Sequence, residues 1–315
     1  MHKTAFLANM LCVLFWGFSF ISIKIAVLVI PPMSLGALRF AVAVLLLLAY
    51  RLCAPRRPGE NQKGGGLTPG DLPYLAGSGL SGVTFYFFFE NNGVALVTAS
   101  EASIIMAAIP VLTMSAEWLT SRLFPAQARG AGGLVRLGRR HWLGALVSVA
   151  GVILVARVSF SLSGNIAGYL YMGGAALCWV AYGFFTRPLF GRGRSQSYIV
   201  FWQNVFGLLG FLPFAVLEHA QWQIPSTSVM LHVLFLGLCC SAAGYLLYAH
   251  AFKALGAPVA SVFLNLIPAI TAVAGFFILG DRLSALQWTG AALVLTGVYL
   301  TVLPGFSQAR LRPGP

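Results

Sequence analysis

The chain has 315 residues, of which 58% are hydrophobic and only 9% charged, against about 25% charged residues in an ordinary water-soluble domain. A surface this poor in charge cannot stay dissolved, so the expected solvent is lipid. The net charge of +13 would suggest nucleic acid on a soluble protein, but anionic lipid headgroups account for it equally well, and no nucleic-acid partner is expected.

A helix needs about 20 apolar residues to cross a hydrocarbon core, and the chain offers ten such runs in order. The first, at 5–28, follows Lys3 and continues past twenty residues without a small-residue cleavage pattern, so it is read as a retained helix and not a signal peptide. The second, at 33–52, precedes a polar stretch at 54–71. The third and fourth, at 72–96 and 100–121, nearly touch, and a Gly- and Arg-rich stretch at 123–140 separates them from the fifth, at 141–158. The second half repeats this with runs at 165–187, 196–217, 230–252, 257–280 and 284–304, before a tail at 305–315 with Pro, Gly and two Arg. Every backbone group in a bilayer must be satisfied within its own segment, so these runs are predicted helices. The expected fold is an all-α integral membrane protein of ten transmembrane helices.

Alternate crossing assigns 16 of the 20 Lys and Arg to the side of the N-terminus and two, Arg157 and Arg282, to the other. Lys24 and Arg39 lie inside spans. Basic residues gather on the cytoplasmic side, so both termini, including the tail, are predicted to be cytoplasmic. Cys12, Cys53, Cys178, Cys239 and Cys240 sit in spans or at their ends with no C-x-x-C spacing. They read as small apolar residues, and no metal, disulfide or cofactor is expected.

The halves, 5–158 and 165–304, match each other. Trp16 and Lys24 fall on Trp179 and Arg187 at an offset of 163. Tyr86, Ala95 and Leu96 fall on Tyr245, Ala254 and Leu255 at 159, and Ala102, Ser103, Ile109, Pro110 and Thr113 fall on Ala260, Ser261, Ile267, Pro268 and Thr271 at 158. Five spans per half is an odd number, so equivalent helices should cross in opposite directions. Two inverted five-helix repeats are the architecture of many secondary transporters, in which the substrate binds near midplane between the halves.

The first span reads Trp16-Gly17-Phe18-Ser19-Phe20 with Lys24, and Pro31-Pro32 and Leu38-Arg39-Phe40 follow. Further on stand Phe89-Glu90-Asn91, Ala95-Leu96, Thr98-Ala99-Ser100 and Pro110, then Tyr245, Ala254-Leu255-Gly256, Pro268 and Leu279-Gly280-Asp281-Arg282-Leu283-Ser284. In order and spacing these resemble the drug/metabolite transporter superfamily, in its EamA-type ten-helix members, over nearly the whole chain. The family usually has Glu where this chain has Asp281, and Leu119-Thr120-Ser121-Arg122 stands where the first half would carry the same signature. The resemblance implies a carrier with a cavity walled by helices 1, 3, 4, 6, 8 and 9, in a bacterial inner membrane.

An ionisable group inside a membrane marks a functional position unless it is paired or hydrated. Lys24, Arg39 and Glu90 lie roughly 6–9 Å below the non-cytoplasmic ends of helices 1, 2 and 3, at 1.5 Å per residue, and Glu101 starts helix 4 at the same level. These four form a charged network, either a vestibule in which Glu90 binds a proton or a substrate amine, or ion pairs holding helices 1–4 together. Glu117, near the cytoplasmic end of helix 4, is expected to reach headgroups or Arg122. Asn91 and its repeat mate His250, together with Asn265, offer hydrogen bonds to substrate or to neighbouring helices. Trp16, Tyr86, Trp179 and Tyr245 are candidates for an aromatic cavity. Pro110 and Pro268 each free a backbone carbonyl and permit a bend, which suits a hinge or cavity wall.

The expected function is alternating-access transport of a small metabolite, amino acid or drug-like compound, in the efflux direction, with protons as a candidate coupling ion. Assembly as a homodimer stays open. A scaffold or sensor of the same fold is the alternative. A membrane enzyme would need a constellation such as H-E-x-x-H, which His2, His141, His219, His232 and His250 do not form.

Overall fold

The computed structural model describes residues 2–53, 67–96, 105–123, 138–155, 166–279 and 284–302. Among these residues the chain forms ten helices: α1 (His2–Ala26), α2 (Pro32–Cys53), α3 (72–96), α4 (Ile109–Leu123), α5 (Arg139–Val155), α6 (Ile166–Gly191), α7 (Gln196–Leu217), α8 (Thr227–Leu255), α9 (257–279) and α10 (Ala285–Val302). Four of them, over Lys3–Ile23, Pro32–Cys53, Gln196–Leu217 and Thr227–Leu255, are long and apolar enough to cross a membrane by length and composition. Leu7, Leu45, Leu170, Leu177 and Leu209 stand exposed along the helices, an outer surface suited to acyl chains and not to water. The protein is a multi-pass integral membrane protein.

The short linker expected near 253–257 is a single residue. Gly256 caps α8 at φ 85°, a conformation that costs glycine little, and Ala257 begins α9 at once. The two predicted prolines are accompanied by helix irregularities. Ala108 is a turn just before Pro110, and a 3₁₀ stretch, Phe263–Asn265, precedes Pro268. Each proline lacks the N–H that would hold the carbonyl one turn earlier, so the helix is irregular near that point.

The packing follows the repeat. α3 lies on α6 as α8 lies on α1, and α4 meets α6 as α9 meets α1. The pairs α2–α7, α4–α9 and α5–α10 are each made of one helix and its own mate. Exchanging the halves therefore maps the helix contacts onto themselves. The internal irregularities obey the same exchange: α3 widens into a π-helical segment at Leu80–Phe85 and α8 at Leu236–Ala243. Such π segments are frequent at functional sites.

Hydrogen bonds at the helix ends show that mates run in opposite directions. On the face that holds the chain's N-terminus, buried Asp71 before α3 accepts from Arg192 at 2.9 Å, after α6, and from the Tyr198 hydroxyl at 3.2 Å, at the start of α7, and forms an ion pair with Arg194 at 2.6 Å. On the opposite face Glu218, after α7, accepts from the Met33 and Ser34 amides at 3.2 and 2.7 Å and from the Ser34 hydroxyl at 2.8 Å, at the start of α2. The start of α7 is thus on the N-terminal face and the start of α2 on the other.

Candidate functional site

The site is built where α1, α2, α3 and α8 meet towards the opposite face. Arg39 of α2 is only 3% exposed and Glu90 of α3 only 7%. α2 can bring Arg39 this far inward because α8 has no side chain at the crossing. A Cβ on Gly237 would lie 2.9 Å from the Arg39 carbonyl oxygen. The mate of this contact is Gly79 against the Gln203 carbonyl, at 2.6 Å, which makes Gln203 the second-half counterpart of Arg39.

Arg39 donates through Nε to the Ser241 hydroxyl at 2.9 Å, inside the π segment of α8. Its guanidinium lies 4.8 Å from the centre of the Phe87 ring and 5.4 Å from that of Phe40, a cation–π setting that steadies the charge without neutralising it. Glu90 accepts a hydrogen bond from the Tyr86 hydroxyl at 2.9 Å; the two are one turn apart on α3, where side chains meet. The carboxylate and the guanidinium are within electrostatic reach of each other, yet no direct ion pair joins them among the described residues. Ile23, Pro32, Leu35, Gly36, Arg39, Phe87 and Asn91 line a cavity of about 10 Å³ here, roughly the room of one water. No metabolite fits in this cavity.

Of the four charges in the predicted network, Arg39 and Glu90 are brought together. The Lys24 side chain and Glu101 lie outside the described residues, as does the tail at 305–315. Beneath the charges the predicted aromatic residues do converge. Trp16 and its mate Trp179 meet edge to face at 5.5 Å, as do Trp16 and Tyr245 at 5.7 Å, and Tyr86 lies tilted against Trp179 at 5.2 Å. Tyr182 and Tyr248 complete this cluster. Trp16 donates to the Cys240 carbonyl at 3.0 Å and Tyr245 to the Gly82 carbonyl at 2.8 Å. Each bond is thus made to a carbonyl within a π segment, tying the aromatic centre to both.

Two predicted site residues lie elsewhere. His250 sits at the N-terminal-face end of α8, its Nδ1 3.3 Å from the Gln196 amide nitrogen at the start of α7. Inversion of the repeat places it on the face away from its mate Asn91. Asn265 is buried and donates to Ser148 of α5 at 2.6 Å, so it ties α9 to α5. Glu117 neither reaches headgroups nor pairs with Arg122. It is 2% exposed, on the inner side of α4, and forms an ion pair with Arg187 of α6; Arg122 lies over the Trp118 ring instead, at 5.7 Å.

Ser241, Gln203 and the Glu117–Arg187 pair were not singled out by sequence reasoning. Arg187 carried a signal, being the mate of Lys24. Ser241 carried none until the π segment placed its hydroxyl against Arg39.

An EamA-like transporter family model matches residues 3–157 and again 166–303. The chain is 27% identical to an "Uncharacterized transporter" of Archaeoglobus fulgidus, the match covering 93% of this chain and 96% of the relative. It is also 27% identical to a "Probable terminal-alkyne amino-acid exporter" of Streptantibioticus cattleyicolor, over 93% and 91% of the two chains. A crystal structure with 19% sequence identity shares the fold, with a TM-score of 0.71 over 94% of this chain and 96% of the other. The family is a transporter family and not an enzyme family. With one copy of the domain in each half, this protein belongs to the EamA-like transporter family.

Proposed function

We propose that the protein is an alternating-access exporter of a zwitterionic, amino-acid-like metabolite, with Arg39 receiving the carboxylate and Glu90 the amine. The observation that carries the reading is the pair of buried opposite charges, each held by one neutral hydroxyl and not by the other. Arg39 presents a planar fork suited to a carboxylate, and a buried charge that meets no ionic partner among the described residues is costly unless it has a role. The relative named as an amino-acid exporter supports the same substrate class. Asn91 beside the cavity adds a hydrogen-bonding group, Lys24 a second cation, and the rings of Trp16, Tyr86, Trp179 and Tyr245 an apolar wall for the substrate's side chain. Pro110 and Pro268 are the hinges of α4 and α9. Glu90 takes a proton when the amine leaves, which couples export to the proton gradient. The protein lies in the plasma membrane with both termini in the cytoplasm, as the basic residues direct.

The test is counterflow of labelled amino acids in proteoliposomes, with and without an imposed pH gradient. Wild-type protein should exchange at least one of them saturably, and Glu90→Gln should lose the response to the gradient. Wild-type coupling in Glu90→Gln would remove the proton role. A protein that exchanges none of them and is stabilised by none would overturn the reading in favour of a scaffold or sensor.

A further inference from the structure

We infer that Ser241 is a positioning residue for carboxylate recognition, acting through Arg39; the inference rests on the reading above. Arginine can offer a carboxylate its two terminal nitrogens only if the plane of its guanidinium is fixed. In this protein three features fix it. The Ser241 hydroxyl accepts from Nε at 2.9 Å, both groups being buried. Phe87 and Phe40 lie beside the guanidinium. The backbone of α2 is pressed against Gly237, four residues before Ser241 on the same π segment. Among the described residues Nε is the Arg39 nitrogen that makes a hydrogen bond to protein, so the terminal pair is left for the cavity that Arg39 lines.

The repeat supplies an internal comparison. At the offset of 158 that pairs Gly79 with Gly237, the first-half counterpart of Ser241 is Val83, which has no hydroxyl and packs against Gly207 of α7. The counterpart of Arg39 is Gln203, whose amide donates to Thr186 of α6 at 2.9 Å. The cation and the hydroxyl that orients it therefore occur together in one half, and both are missing from the equivalent place in the other. A serine kept only for helix packing has no reason to accompany the arginine. Ser241 holds the fork at the angle that favours a free carboxylate over an ester or amide of the same compound.

The experiment compares transport of an amino acid with that of its methyl ester, in proteoliposomes of wild type, Ser241→Ala, Ser241→Thr and Arg39→Gln. Ser241→Ala should raise KM for the amino acid about tenfold, the scale of one hydrogen bond to a charged group. It should leave kcat and the KM for the ester near wild type, and Ser241→Thr, which retains the hydroxyl, should restore discrimination. Equal losses for both compounds, or no rescue by threonine, would mark Ser241 as structural and overturn the inference. If Arg39→Gln loses discrimination while Ser241→Ala keeps it, the positioning role alone falls. If both variants keep it, the carboxylate reading falls with it.

Discussion

Tyr86 and Tyr245 occupy equivalent positions in the two halves, yet their hydroxyls serve different partners. Tyr245 donates across the centre to the Gly82 carbonyl at 2.8 Å, and Tyr86 donates along its own helix to Glu90 at 2.9 Å. The repeat thus uses one position for architecture in the second half and for the charged site in the first. Tyr245→Phe should leave a buried carbonyl without its donor and cost about 1–3 kcal/mol, read as a lower Tm in detergent with KM unchanged. Tyr86→Phe should raise KM several-fold by releasing Glu90. A KM shift in Tyr245→Phe matching that in Tyr86→Phe would count against this division of roles.

Glu117 and Arg187 form a buried ion pair between α4 and α6. Removing one partner strands the other, at a cost of about 3–5 kcal/mol, whereas replacing both by apolar residues of similar volume is often neutral. Glu117→Gln should therefore lower the Tm clearly, and Glu117→Met with Arg187→Leu should recover most of the loss. A double variant as unstable as the sum of the single changes would show that the two charges act independently.

Asp71 and Glu218 join helix ends on opposite faces, so each should control local opening on its own side. Asp71→Asn should speed amide hydrogen exchange at the start of α3 and around residues 192–198. Glu218→Gln should speed it at the Met33 and Ser34 amides, which the carboxylate now accepts from. Each lost charge-assisted bond corresponds to about 1.5–3 kcal/mol of local stability. Exchange that changes on both faces in either variant would contradict two separate clamps.

Much of this was legible in the sequence because lipid imposes simple rules. Apolar length located the helices, and the recurrence of Trp16 and Trp179, Tyr86 and Tyr245, and Pro110 and Pro268 located the repeat. The bond from Tyr86 to Glu90 follows from a separation of four residues on one helix. Contacts between helices were not legible in the same way. A helix apolar on every side gives no amphipathic stripe from which to read its rotation, so nothing indicated that Glu117 faces Arg187 or that Asn265 faces Ser148. His250 was a different case, since an inverted repeat that pairs it with Asn91 must also place the two on opposite faces. Ser241 needed the π segment, a backbone irregularity that composition does not announce.

Whether a zwitterion is held between Arg39 and Glu90 is decided by changing the two ends of the substrate separately. Transport of an amino acid, its methyl ester and its N-acetyl derivative would be measured with wild type, Arg39→Gln and Glu90→Gln. Arg39→Gln should lose preference over the ester while keeping preference over the N-acetyl compound, and Glu90→Gln should do the reverse. Equal loss of all three compounds in both variants, or preferences unchanged from wild type, would contradict this binding mode.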